Sequence, residues 1–185
     1  ADKCTKSFVA KFYNKSRKCL FDVLGDNKIR PNQLFALSLS YPIINPASEE
    51  AKEIIETVEK KLLNKYGLKT LAKGEENYVE VYEGDGFSRD FSYHQGITWP
   101  WLLGLYYNSL KNIESVQKTK KAKNEIQEKI EKFRQNIYKT FEKEITQTGC
   151  IGSISELYDS KRPFLPKGAI AQAWSVAEIY RIIAE

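Results

Sequence analysis

At 185 residues the chain is long enough for one domain with a substantial core, and 42% hydrophobic against 29% charged residues is the balance of a globular protein in water. The net charge of +5 is modest, and the densest run of lysine, nine of the 23, lies in residues 111–143 interleaved with glutamate, a solvated helix face that gives no reason to expect a nucleic-acid partner. No apolar run reaches the roughly 18–20 residues needed to span a bilayer, and nothing at the start resembles a signal peptide, so no membrane partner is expected.

Taken in chain order, residues 7–13 read as the end of an amphipathic helix. Cys19-Leu20-Phe21-Asp22-Val23 is strand-like, and Gly25-Asp26-Asn27 within the loop 22–31 is a turn signal. Arg30, Asn32 and Gln33 surround Pro31. Residues 34–44 are apolar nearly all round, the pattern of a buried helix. Residues 49–66 carry one apolar stripe (Ala51, Ile54, Ile55, Val58, Leu62, Tyr66) with Glu and Lys elsewhere, the pattern of a helix with one side in water. A long glycine-containing loop follows over 67–93. It holds the strand-like Tyr78-Val79-Glu80-Val81-Tyr82 and offers Glu83, Asp85, Arg89 and Asp90. Long loops without regular structure are usually functional.

Tyr93-His94-Gln95-Gly96-Ile97-Thr98-Trp99-Pro100-Trp101 packs three aromatic rings, an imidazole and a carboxamide into nine residues, then enters a second buried helix over 97–110. It reads as a polar, aromatic-lined pocket at a helix start. A sugar suits such surroundings, stacking on ring faces while edge groups bond its hydroxyls. The alternative is that Trp99 and Trp101 are plain core. His94 is the only histidine, and no Cys or carboxylate stands at ligand spacing from it, so no metal is expected. There is no glycine-rich phosphate loop and no Ser or Cys nucleophile with a base, so no cofactor is expected either.

Residues 122–145 repeat the one-stripe pattern (Ile126, Ile130, Phe133, Ile137, Phe141, Ile145). The loop 146–168 offers Ser153, Ser155, Glu156, Tyr158 and Asp159. Residues 169–184, with Gln172 and Trp174, are again apolar nearly all round, and Trp174 reads as core. Glu156, in Cys150-Ile151-Gly152-Ser153-Ile154-Ser155-Glu156-Leu157, is a candidate general base on water; a structural carboxylate fits the spacing equally well. Cys4, Cys19 and Cys150 are an odd number, which points to free thiols in a reducing cytoplasm.

Solvated and buried helices thus alternate, three of each, which implies buried helices on an inner ring and amphipathic ones outside. The expected fold is all-α: one domain over 1–185 forming half of an (α/α)6 barrel from three helical hairpins, with long loops and minor short strands. The three loops open onto the N-terminal ends of the buried helices and should gather on one face. The chain has no methionine, not even an initiator, so it reads as a mature protein or a piece of a longer one.

Arg30-Pro31-Asn32-Gln33-Leu34-Phe35-Ala36, Tyr82-Glu83-Gly84-Asp85, Ser88-Arg89-Asp90, the stretch from Tyr93 to Trp101, the stretch from Gly152 to Tyr158, and Ala171-Gln172-Ala173-Trp174-Ser175 stand in the order found in glycogen-debranching enzymes. The chain resembles the C-terminal half of their amylo-alpha-1,6-glucosidase domain over essentially its whole length. The resemblance implies an (α/α)6 barrel with its site at the N-terminal ends of the inner helices, and hydrolysis of α-1,6-linked glucose at branch points with inversion. It implies Glu156 as catalytic base, and Arg30, Asn32, Gln33, Tyr93, His94, Gln95 and Trp99 as pocket residues; Trp101 and Gln172, in the same motifs, complete the expected substrate-binding set. The general acid of the family lies in the preceding half of the domain, so the isolated chain is expected to be inactive. Its expected partners are glycogen or a branched α-glucan, that N-terminal half, and a second copy of itself through exposed inner-helix faces. Ser160-Lys161-Arg162-Pro163-Phe164-Leu165 departs from the family's shorter loop. A non-catalytic helical module that binds glucan or protein partners through the same face is the other reading.

Overall fold

A computed structural model describes residues 1–185, and it is mostly helical with a few two-residue strands. Helix α1 spans Asp2–Phe12 and leads into β1, Tyr13–Asn14, which pairs antiparallel with β2, Cys19–Leu20. One further bond, Phe21 N–H to Phe12 O at 2.8 Å, ends the pairing, so the strand-like run 19–23 is a strand only at its first two residues.

The apolar run 34–44 is the largest departure from expectation. A 3-10 turn over Pro31–Leu34 passes into a single α turn, α2, Phe35–Ser38, and the backbone is extended at Leu39. Pro42 explains the stop: it has no N–H to give to the Ser38 carbonyl, and it disfavours helix at Tyr41. The Leu37 and Leu39 carbonyls are instead bonded by Asn112 Nδ2 at 2.7 and 3.0 Å.

Helix α3, Glu49–Lys61, starts at Ser48, whose hydroxyl accepts the Ala51 N–H. Its first turn carries Glu49 and Glu50 and its last Lys60 and Lys61, each charge opposing the nearby end of the helix dipole. It ends short of Tyr66 because the Leu62 and Leu63 N–H groups both bond Val58 O, and Asn64 Oδ1 takes the Tyr66 N–H in a side-chain turn. The predicted loop 67–93 contains a further helix, α4, Gly86–Ser92, capped by Asp85, whose carboxylate accepts the Ser88 N–H at 2.8 Å. The predicted strand 78–82 joins no sheet. Its backbone is tied to three different places: Val79 N–H to Gln95 O, Glu80 O to Ser160 N–H, and Tyr82 N–H to the Asp159 carboxylate.

Four short strands form one antiparallel sheet: β3 (Leu68–Lys69), β4 (Thr98–Trp99), β5 (Leu157–Tyr158) and β6 (Pro166–Lys167), in that order. Trp99 precedes Pro100, which favours an extended backbone, and the helix expected from 97 starts only after it. That helix, α5, runs Leu102–Ser115, and the residues it buries extend from Leu102 to Glu114. It packs on α2, on α3, on the charged helix α6 (Lys120–Gln147) and on α7 (Ala173–Ala184). Leu103, Leu110, Phe141, Ile54 and Leu62 are fully buried in this core, each contributing about 1.5–3 kcal/mol by leaving water. Helix α7 starts at Ala173, not 169, and it is not buried on all sides: Trp174, Val176 and Tyr180 are exposed. No helix is long and apolar enough to cross a membrane.

Because α5 is the packing centre, Leu103→Ala should cost about 2–5 kcal/mol in urea unfolding. Tyr138→Ala, on the exposed side of α6, should stay within about 0.5 kcal/mol. Equal effects from the two would contradict this core.

Candidate functional site

The sheet sets the position of Glu156. Residues 157–158 pair with 166–167, so Glu156 lies opposite the start of the segment that leads into α7. Its N–H bonds Ala169 O at 2.9 Å, and its own Oε2 accepts the Ala169 N–H at 2.9 Å. Gly168, at φ +69°, lies against this carboxylate so closely that a Cβ would overlap it. Oε1 accepts the Tyr93 hydroxyl, and also Gln172 Nε2 at 3.3 Å. Three donors thus hold a carboxylate that has about four lone-pair positions, leaving roughly one for a further donor such as water. Burial, then the hydrogen bond to Glu156, raises the Tyr93 pKa above its ordinary 10.0, so this hydroxyl stays protonated and donating.

Glu156 lies on the wall of an open cavity of about 830 Å³. Helix α4 brings Arg89 and Asp90 to the same wall, and Glu83 and Lys167 complete its charged lining. Asp85 does not point there as a free acid. Its bonds to Ser88 at the start of α4 hold its carboxyl below the usual range.

A second cavity of about 350 Å³ lies next to the first, with Tyr93 on both walls. It is aromatic. Trp101 and Trp174 stack at 5.2 Å and 23°, and Trp99 meets Trp174 edge-on at 6.0 Å. His94 stacks on Trp99 at 5.3 Å and 19° and meets Tyr93 edge-on at 4.7 Å, while the residue as a whole stays exposed. Partial burial, then the Arg30 guanidinium, lowers the His94 pKa below its ordinary 6.5. Arg30 and Asn32 supply polar edges, and Asn32 Nδ2 bonds Asp22 Oδ1 at 2.8 Å.

The expected site residues therefore divide. Glu156, Tyr93 and Gln172 form one cluster; Arg30, Asn32, His94, Trp99 and Trp101 line the aromatic cavity with Tyr93. Gln33 and Gln95 line neither. Gln33 is buried, with its carbonyl taken by Leu20 N–H and its amide by Arg30 O, which makes it a brace for the loop. Gln95 Oε1 accepts Arg30 Nη2 at 2.9 Å, and the same guanidinium bonds Thr70 O and His94 O. Trp174 reads from its apolar helix as core, yet it is 47% exposed and walls the aromatic cavity. Arg89 and Asp90 stand out once α4 is recognised, and Asp85 at its N-cap is the signal for that helix.

Chemically, one cavity offers a held carboxylate beside further charged groups, and the other offers flat apolar rings with polar edges. A family model described as amylo-alpha-1,6-glucosidase matches residues 1–181. The chain is similar to the glycogen debranching enzyme of Saccharomyces cerevisiae, 26% identical over 162 residues, covering 82% of this chain and 10% of that protein. The chain thus spans about a tenth of the length of that relative.

His94 is the only histidine, so its titration can be followed without assignment by proton NMR. Its midpoint should fall below 6.5, leaving the ring neutral at pH 7. A depressed folded-state pKa means the unfolded chain binds the proton more tightly, so this contribution to stability is present above pH 6.5 and is lost as pH falls below it. A midpoint at or above 6.5 would contradict the stacked, Arg30-facing placement.

Proposed function

The chain belongs to the amylo-alpha-1,6-glucosidase family, and from that premise we propose that it is the base-bearing half of a glycogen-debranching glucosidase. Glu156 removes a proton from a water that attacks the anomeric carbon of an α-1,6-linked glucose, with inversion. The observation that carries this is the carboxylate's environment: three donors fix its direction, about one lone-pair position is left, and it borders an open cavity. Tyr93, the Ala169 N–H and Gln172 orient the base. The aromatic cavity formed by Trp99, Trp101 and Trp174, edged by Arg30, Asn32 and His94, receives a pyranose face.

In this reading α1 with the α2 turn, α3 with α5, and α6 with α7 are three hairpins of an (α/α)6 barrel, formed by the single domain 1–185. An upstream segment contributes the other half and the general acid. An inverting pair stands about 6.5–9.5 Å apart, so the acid would sit across the cavity from Glu156. The substrate is glycogen or a branched α-glucan, and the setting is the cytoplasm. The exposed apolar side of α7 (Trp174, Val176, Tyr180) is then a surface the other half covers.

Glucose release from a branched dextrin tests the base in a chain extended upstream of Ala1. Glu156→Gln should lower kcat about 10²–10⁴-fold, and Tyr93→Phe, which removes one bond to a charged group, about 10-fold or more. Retained hydrolysis by Glu156→Gln would remove Glu156 as base. Glucan binding by the extended chain without any hydrolysis would favour the non-catalytic module instead. The chain alone should release no glucose and should self-associate in light scattering; a clean monomer at all concentrations argues against the uncovered half-barrel.

A further inference from the structure

Glu144 lies in the last turn of α6 and is only 2% exposed. A carboxylate is costly there, because burial removes its water and the helix C-terminus already carries partial negative charge. Hydroxyls, not a cation, hold its two oxygens. Tyr158 Oη donates to Oε1 at 2.9 Å, and Thr148 Oγ1 donates to Oε2 at 2.5 Å. Gly149, at φ +61°, lies directly against the carboxylate, where a Cβ would overlap it.

These two donors stand at the two ends of one loop. Thr148 is the C-cap of α6, and Tyr158 is the second residue of β5; Glu156 lies between them, immediately before that strand. A single buried carboxylate therefore pins both ends of the segment that carries the proposed base. The Tyr158 ring is fully buried and stacks on Tyr66 at 4.4 Å and 9°, and its backbone pairs with Thr98 and Pro166. Burial, then the Glu144 charge, raises the Tyr158 pKa, so its hydroxyl remains a donor. The hydrogen bonds from Tyr93, Ala169 and Gln172 fix where the Glu156 carboxylate points. The sheet and the Glu156–Ala169 backbone pair place its backbone against the approach to α7, and the Glu144 anchor adds the side-chain tie to helix α6.

We propose that Glu144 is a positioning residue for Glu156: through Tyr158 and Thr148 it locks the loop 148–158 to helix α6, holding the base at its working distance from the cavity. This rests on the reading of Glu156 as base. A displacement of about 1 Å at a reacting group can cost on the order of 10²-fold in rate, so the anchor would act on kcat and leave substrate binding in the aromatic cavity largely unchanged.

The test uses the parent enzyme that contains this segment, with glucose release from a branched dextrin as readout. Glu144→Gln keeps the shape but leaves one hydroxyl without an acceptor; it should lower kcat about 10- to 100-fold with KM within about twofold. Tyr158→Phe keeps the buried ring and its stack and loses only the hydroxyl, so it should show the same split, smaller in size, even if Glu144→Gln folds poorly. Combined with Glu156→Gln, neither change should lower the residual rate further, because an effect exerted through Glu156 vanishes when the base is gone. An unchanged kcat in both single variants, beside an inactive Glu156→Gln, overturns the positioning role and leaves the base intact. A further loss in the Glu156→Gln background overturns it too, as damage to the whole fold. An active Glu156→Gln enzyme overturns the base assignment itself, and the positioning role with it.

Discussion

Thr98 is fully buried between Lys69 on one side and Tyr158 on the other, and this pairing is the constraint on which the site depends. Two-residue strands have little stability of their own. Here side chains reinforce them: Thr98 Oγ1 accepts Asn64 Nδ2 at 2.6 Å and shares a hydrogen bond with Ser160 Oγ at 2.6 Å. Trp99, the next residue, is buried and gives its indole N–H to Tyr93 O at 3.1 Å. The segment after α3, the segment before α5, the loop after α6 and the approach to α7 are therefore fastened at one place. Tyr93, Glu156 and Gln172 are far apart in sequence and meet because each lies a few residues from that sheet.

The parts legible in the sequence are those fixed by local periodicity. The stripes of α3 and α6 show because one side of each helix faces water, and every third or fourth residue records it. The elements that resisted reading are set by single residues or by distant partners. Pro42 ends the run that reads as a helix over 34–44. Pro100 shifts the start of α5 by directing Trp99 into a strand whose pairings span 31 residues of chain, from Trp99 to Leu68, and 60, from Thr98 to Tyr158. Helix α4 is too short for a period to emerge, and its cap Asp85 is the only local sign. The candidate site divides the same way. Tyr93, His94 and Trp99 stand together in sequence and remain together in space, whereas Gln33 and Gln95 carry the right chemistry and are consumed by bracing Arg30 and Leu20.

Arg30 shows why motif membership and ligand contact are separate questions. Its guanidinium has five N–H donors, and it bonds Thr70 O, His94 O and Gln95 Oε1. Those bonds fix the turn that presents His94 and, next to it, Tyr93. An arginine at the edge of an aromatic cavity would ordinarily be read as a ligand grip. In this geometry its larger contribution is to the backbone that carries the rings, and its charge acts through His94, which it helps keep neutral.

Helix α7 is where the sequence pattern and the structure differ most usefully. Its residues are apolar nearly all round, which normally means burial on every side, yet Trp174, Val176 and Tyr180 face outward while Ile179 and Ile182 are buried. Removing an apolar side chain from water is worth about 25 cal/mol per Å², so leaving this side bare forgoes stabilisation that the composition of the helix is suited to provide. The polar surfaces of α3 and α6 show that the chain places charge where water remains. A face kept apolar beside those is a face suited to packing, and Trp174 lies on it while also walling the aromatic cavity. Whatever covers α7 would border the candidate site directly, which is the position the proposed barrel assigns to the segment carrying the acid.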